Sequence, residues 1–365
     1  MKFVKTDDLK TGMRIARPIY NKKGVLLYER DSKLTDASIS SIRNFGLIGI
    51  FILEPAEPAP PMSEDDLEFE RFQTMQVYAL GAELSEIINS KRAKKLDTIV
   101  ASVTKHYGHL NRKINFPQNL RSKDDFVYKH SLNVAILSAL MCHRMMVQVD
   151  ETNDCIIASL VHDIGKLMVP ETLLKGATEE EEATLLERGM IQGYEFLGDV
   201  FSANPNIKRI CVQTHKAIED HKRGTTEESK VKVVVGARVL IVAETFDSMT
   251  AMSAEGEPAS EIEALRYLTS NPQLFNPKAV AALVDSINIL GQGTCVELSN
   301  GKKALVLNVN PVDILKPLVL VFDTNQVIDL SSPIYDDIEI ADIMKTMDER
   351  YVINNEDMKA YTGPT

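Results

Sequence analysis

The chain lacks the features that would place it in several large classes. It has only four cysteines, Cys142, Cys155, Cys211 and Cys295, in 365 residues. They are scattered, with no Cys-x-x-Cys spacing, which excludes a disulfide framework and a zinc ribbon and leaves buried or free thiols of a reducing compartment. Long apolar runs are missing too. The strongest, Val233 to Ala243, is interrupted by Arg238 and is too short to span a bilayer. No apolar segment follows Met1 as in a secretory leader, so a cytoplasmic protein is expected. Positive charge is in deficit: the formal net charge is −11. An acidic chain is a poor partner for a phosphate backbone, which argues against general nucleic-acid binding but not against a local basic pocket. Nor is there an internal repeat at solenoid periods.

What is present divides the chain by its periodicity. Residues 1–53 alternate as short strands (Met13 to Tyr20, Val25 to Tyr28, Leu47 to Leu53) around one helix from Leu34 to Phe45, with Thr35 as cap and Gly46 as stop. This predicts a small α+β module. Residues 54–66 carry four prolines among acids and predict a linker. From 67 to 292 the apolar period is 3.6, in nine segments: 67–92, 95–107, 126–147, 151–162, 179–201, 205–221, 232–253, 258–270 and 277–290. That pattern predicts a helical bundle. Residues 293–365 return to strand-like runs, Thr294 to Leu298, Lys303 to Val309 and Leu318 to Phe322, with turns at Asn300-Gly301 and Asn325. The expected fold is mainly α, with a short C-terminal β appendage.

The chemistry concentrates at Val161-His-Asp-Ile-Gly-Lys166. Adjacent His162 and Asp163 at a helix end offer a nitrogen and an oxygen together, the donor set of a divalent metal. An isolated His-Asp pair is commonly a capping acid beside a core histidine. Here Lys166 follows one turn on, and Gly165 is expected to let the backbone leave the helix. His130 shares a helix face with Val134, Leu137 and Met141 and so looks into the bundle. His215 follows the apolar face of Ile207, Ile210 and Cys211, which makes it a better ligand than His221, expected at the surface or in a loop. Glu244 and Asp247 lie three apart in an otherwise apolar helix, and buried acids need a cation or a hydrogen-bond donor. His106, His109 and His143 are assigned to surface or packing roles. Imidazole and carboxylate donors without thiolate suit iron or manganese better than structural zinc.

These residues resemble the HD-GYP family, the cyclic-di-GMP phosphodiesterase branch of the HD-domain metal-dependent phosphohydrolases. The resemblance rests on His130-Ser-Leu-Asn-Val-Ala135 followed by Val161-His-Asp-Ile-Gly-Lys-Leu167, on Gly193-Tyr-Glu-Phe-Leu197, on Ala237 to Met249 and on Leu274 to Val280. Asp8 to Met13 and Gly293 to Leu298 are similar to pieces found beside that domain. The resemblance implies a helical HD domain and a dinuclear centre of two divalent ions, iron or manganese. Its ligands would be His130, His162, Asp163, His215 and Glu244, the last replacing a shorter acid. Asp163 would bridge the ions. Lys166 would steady phosphoryl charge, with Lys216 and Arg223 beside the substrate, a cyclic dinucleotide such as cyclic-di-GMP.

The chain departs from the family's pattern. Lys216 stands where a second histidine is usual, Gly189 where an intermediate-helix histidine is usual, and Phe126 offers no ligand to a third ion. Asp220 to Thr225 contains no Gly-Tyr-Pro. Three functions remain: a cyclic-di-GMP phosphodiesterase; a degenerate, metal-bearing module that binds nucleotide or a signalling protein; or a phosphohydrolase of another nucleotide.

Overall fold

The computed structural model describes residues 2–45, 47, 49–53, 63–118, 120–121, 125–224, 232–253 and 258–343. Most of the expected linker, Gly46, and the loop from Thr225 lie outside the described residues.

The first module forms around short strands: β1 (Lys2–Lys5), β2 (Arg14–Ile15), β3 (Ile19–Tyr20), β4 (Leu26–Tyr28), α1 (Asp36–Asn44) and β5 (Gly49–Leu53). β5 lies between β1 and β2 in an antiparallel sheet, and β3 pairs with β4. The single strand expected from Met13 to Tyr20 is two strands. Pro18 has no amide hydrogen to extend a ladder, and the chain bends there. Thr35 caps α1 through a reciprocal pair of hydrogen bonds with Ser38. Val4, Ile15, Leu34, Ile42 and Ile52 belong to a small core of the module's own.

Among the described residues eleven helices follow: α2 (Glu64–Ser90), α3 (Leu96–Tyr107), α4 (Phe126–Arg144), α5 (Val149–Val161), α6 (Ile164–Leu167), α7 (Glu171–Leu174), α8 (Glu179–Val200), α9 (Pro205–Lys222), α10 (Val235–Thr250), α11 (Glu261–Ser270) and α12 (Pro277–Ser286). The nine expected helices are all present, and α6 and α7 are additional single turns. The architecture is mainly α. Helix α4 is buried on every face from His130 to Cys142, so it occupies the centre, with α2, α5, α10 and α12 packed around it. Two strands that periodicity did not indicate, β6 (Leu120–Arg121) and β7 (Met252–Ser253), form a short parallel ladder. It ties the segment before α4 to the end of α10.

The C-terminal sheet is larger than expected. β8 (Cys295–Leu298), β9 (Lys303–Asn308) and β10 (Leu318–Val321) match the predicted strands, and β11 (Gln326–Asp329) and β12 (Ile340–Ile343) are added. The antiparallel order is β11-β10-β9-β8-β12, so the last strand returns to pair beside the first. Gly301 and Asn325 take positive φ at the two turns named from sequence. Val296, Val306 and Val319 are buried in the same apolar cluster as the helices. Arg17 connects the first module to the helices: its guanidinium lies 4.7 Å from the Phe51 ring centre, donates to the Gln118 carbonyl at 2.9 Å, and sits 3.7 Å from the Glu70 carboxylate on α2. Among the described residues no helix is long and apolar enough to cross a membrane. All four cysteines are free, and three of them are buried.

Candidate metal centre

Three side chains converge where α5 breaks into α6. His130 projects from α4, His162 ends α5 and Asp163 precedes α6. Their ligand atoms lie within 4.8 Å of one another, and all three residues are buried. The two imidazole Nε2 atoms are 3.2 Å apart. The Asp163 carboxylate oxygens lie 3.9 Å from His130 Nε2 and 3.8 Å from His162 Nε2.

The hydrogen bonds on the far sides of the rings determine what those nitrogens can do. His162 Nδ1 faces the Ser159 carbonyl at 2.8 Å, an acceptor only, so Nδ1 carries the proton. His130 Nδ1 faces Asp247 Oδ2 at 2.7 Å, closer than the 3.5 Å to Arg121 Nη1, so its proton is held by the carboxylate. With the protons on Nδ1, the two Nε2 atoms present lone pairs to each other beside a carboxylate, a donor set that suits a divalent cation. Two ligands at about 2.0–2.2 Å from one ion stand about 3.0–3.5 Å apart at ordinary angles, the spacing of the two nitrogens. Burial lowers the His162 pKa, which keeps its ring neutral.

Behind His130 lies a closed polar cage. Asp247 Oδ1 accepts from Arg121 Nη2 at 2.7 Å, Asn133 Nδ2 at 3.0 Å and Gln118 Nε2 at 3.1 Å. Gln118 Oε1 in turn accepts from Arg121 at 2.9 Å and Asn133 at 3.2 Å, and Gln73 donates to Asn133 at 2.7 Å. Asp247 and Arg121 have fully buried side chains. Burial alone would raise the Asp247 pKa, but the Arg121 charge and the His130 hydrogen bond hold it well below the usual carboxylate range. Phe126, which offers no ligand, stacks on His130 with ring centres 5.6 Å apart, and its ring lies 5.3 Å from the Arg121 guanidinium carbon. Of this cage, sequence reasoning singled out only Asp247, as an acid in an apolar helix. Arg121, Gln118, Asn133 and Gln73 carried no local signal.

On the open side, Lys166 Nζ sits 2.6 Å from Asp163 Oδ2. Burial would raise the Asp163 pKa, but Lys166 and the two histidines outweigh it and hold the carboxyl far below its ordinary value. A pocket of about 170 Å³ opens here, and His215 and Glu244 line it together with His162, Asp163 and Lys166. Glu244 is half-buried rather than enclosed by its apolar neighbours, because its place on α10 faces this opening. It is not part of the three-residue cluster. His215 Nε2 points to Glu187 Oε1 on α8 at 3.3 Å, a partner the sequence did not identify. Lys216 is exposed and outside the pocket, since adjacent helical positions point about 100° apart, from 3.6 residues per turn. Arg223 is exposed at the rim, 3.9 Å from Glu187 and 3.7 Å from Glu219. The loop expected from Asp220 is helical through Lys222. His221 lies in α9, half-buried, with its ring 6.2 Å from that of Tyr267.

Gly165 does not turn the chain out of a helix; it sits inside α6. Its role is close approach: a Cβ there would stand 2.4 Å from the Gly189 carbonyl oxygen. At Gly193 a Cβ would meet Gly165 Cα at 2.6 Å, and at Gly189 it would meet Val169 Cγ2 at 2.4 Å and the Gly165 oxygen at 2.8 Å. Helix α8 thus lies directly against the His-Asp break, and position 189 has no room for a ligating side chain.

A family model described as HD domain matches residues 85–278. A cyclic di-GMP phosphodiesterase of Pseudomonas aeruginosa is 26% identical over 246 residues, 66% of this chain and 58% of that protein. A cyclic di-GMP phosphodiesterase response regulator of Xanthomonas campestris pv. campestris is 27% identical over 40% of each chain. A cyclic di-GMP phosphodiesterase of Thermotoga maritima is 24% identical over 44% of this chain and 45% of its own. The matched region spans less than two thirds of each of these relatives.

Proposed function

The chain belongs to the HD domain family, and from that premise we propose that it is a metal-dependent phosphodiesterase-like signalling protein whose ligand is a cyclic dinucleotide such as cyclic-di-GMP. The observation that carries this reading is the pair of Nε2 atoms 3.2 Å apart, each within 3.9 Å of the Asp163 carboxylate. His130, His162 and Asp163 would hold one divalent ion, iron or manganese, and His215 and Glu244 line the space for a second. Bound metal supplies Lewis-acid polarisation of a phosphoryl oxygen and an activated water. The chain's own residues do the rest. Asp247 and Ser159 take the Nδ1 protons and so turn each Nε2 toward the ion. Lys166, anchored on Asp163 and partly exposed to the pocket, presents a positive charge to a phosphodiester oxygen. Phe126 and the buried cage exclude water from the rear of His130. A cytoplasmic location belongs to the same reading.

A second reading is favoured by Gly189 and Lys216: neither position puts a ligand into the pocket, so the protein binds nucleotide or a signalling partner without turning it over. Metal analysis followed by chromatography of products from cyclic-di-GMP decides between them. Release of linear dinucleotide or GMP supports the first reading. Binding without product supports the second. Hydrolysis of other nucleotides with cyclic-di-GMP untouched points to a different phosphohydrolase.

A further inference from the structure

We propose that Glu187 is a metal ligand, and that with His215 it holds the second ion in place of a histidine at position 189. This rests on the reading of the neighbouring His130–His162–Asp163 cluster as a metal site.

Three observations converge. First, Gly189 and Gly193 are pressed onto Gly165, so that face of α8 is closed to side chains. The α8 positions that do line the pocket are Ala183, Leu186, Glu187, Met190 and Tyr194, at helical spacing. Only Glu187 among them offers a carboxylate oxygen.

Second, Glu187 Oε1 and His215 Nε2 are 3.3 Å apart although they come from different helices. That separation matches the nitrogen–oxygen spacing of two ligands on one ion, about 3.0–3.5 Å for bonds of about 2.0–2.2 Å. Third, the pair opens onto the same pocket as Asp163 and Glu244, so the carboxylates of Asp163, Glu187, Glu219 and Glu244 and the imidazoles of His162 and His215 share a single space. Imidazole with carboxylates is the donor chemistry of iron and manganese.

The competing role is an ion pair at the pocket rim. Arg223 lies 3.9 Å from Glu187 Oε1, and Lys222 is engaged by Glu219 at 2.9 Å. An ion pair needs no metal and predicts that Glu187 has no effect on metal content.

The test is metal per chain by mass spectrometry on the full chain as purified, and again after chelation and reloading with Mn²⁺ alone. Wild type is expected to hold two ions, and Glu187→Gln and His215→Gln one each, with helical circular dichroism unchanged. Titration with Mn²⁺, followed by electron paramagnetic resonance of the free ion, should show the second site weakened at least tenfold in Glu187→Gln. Two ions retained in Glu187→Gln overturn the assignment. One ion in wild type and in the variant overturns the second site but leaves the first intact. No ion in wild type overturns the metal reading of the whole pocket.

Discussion

His130 Nδ1 and Asp247 Oδ2 are 2.7 Å apart, although 117 positions separate them in the chain. The contact joins the N-terminal part of α4 to α10 and orients the ring that faces His162. It also sets the Asp247 carboxylate against the buried Arg121 guanidinium, whose Nη2 lies 2.7 Å from it.

Asp247→Asn should therefore damage both stability and metal binding. It strands a buried guanidinium, and breaking one partner of a buried pair costs about 3–5 kcal/mol. An amide can turn its NH₂ toward His130 and move the ring proton to Nε2. Loss of such an outer partner lowers metal affinity about 10- to 100-fold. Urea unfolding of the metal-free form and Mn²⁺ titration measure the two effects. A variant with wild-type stability would remove the cage from the account of this fold.

Asp163→Asn should empty the site and keep the bundle. Its carboxylate is the one anionic group of the three-residue cluster, and the neutral amide has similar shape. Metal content is expected to fall to trace levels while helical circular dichroism is preserved. Full retention of metal would show that Asp163 is not a ligand.

Gly189→His should not restore a ligand. The new Cβ would stand 2.8 Å from the Gly165 carbonyl oxygen, which is backbone and cannot yield like a side chain. Overpacking of this kind costs about 1–3 kcal/mol or more. Lower melting temperature with no gain in metal is the expected result; an added ion at wild-type stability contradicts the close packing of α6 on α8.

Glu70 gives stability a pH dependence unrelated to metal. Burial pushes its carboxyl from 4.5 up to about 7, against the pull of Arg17. Between those values the folded chain binds more protons than the unfolded one, so stability falls as pH rises from about 4.5 to about 7. Its contribution is fully present below the unfolded pKa and lost through the folded one. A shift of that size corresponds to roughly 3 kcal/mol at most. Denaturation at a series of pH values should show this fall in wild type and its absence in Glu70→Gln. An unchanged profile would assign the slope to other groups.

Much of the site was legible because it is local. His162, Asp163 and Lys166 are neighbours at one helix break, and their residue types name the donor set before any fold is known. His130 could be placed by the apolar face it shares with Val134 and Leu137. His215 and Glu244 reach the pocket by the same periodicity. Position 216 shows the limit: the helix that turns His215 inward turns Lys216 out to solvent.

The sequence by itself determined the nine long helices, the Thr35 cap and the adjacent His-Asp pair, because a 3.6-residue period, a capping residue and neighbouring side chains are set within a turn or two. Only the tertiary structure decided which side chains complete the site. Gln118 and Arg121 meet Asp247 across more than 120 residues, and Glu187 meets His215 across 28. Nothing near Arg121 in the chain marks it for complete burial, since the charge that stabilises it arrives from α10. Gly165 likewise reads as a turn and Gly189 as a missing ligand until the two backbones lie in contact. Such pairings are selected by packing, which excludes water and makes an unpaired charge costly, and packing has no period in the sequence to read.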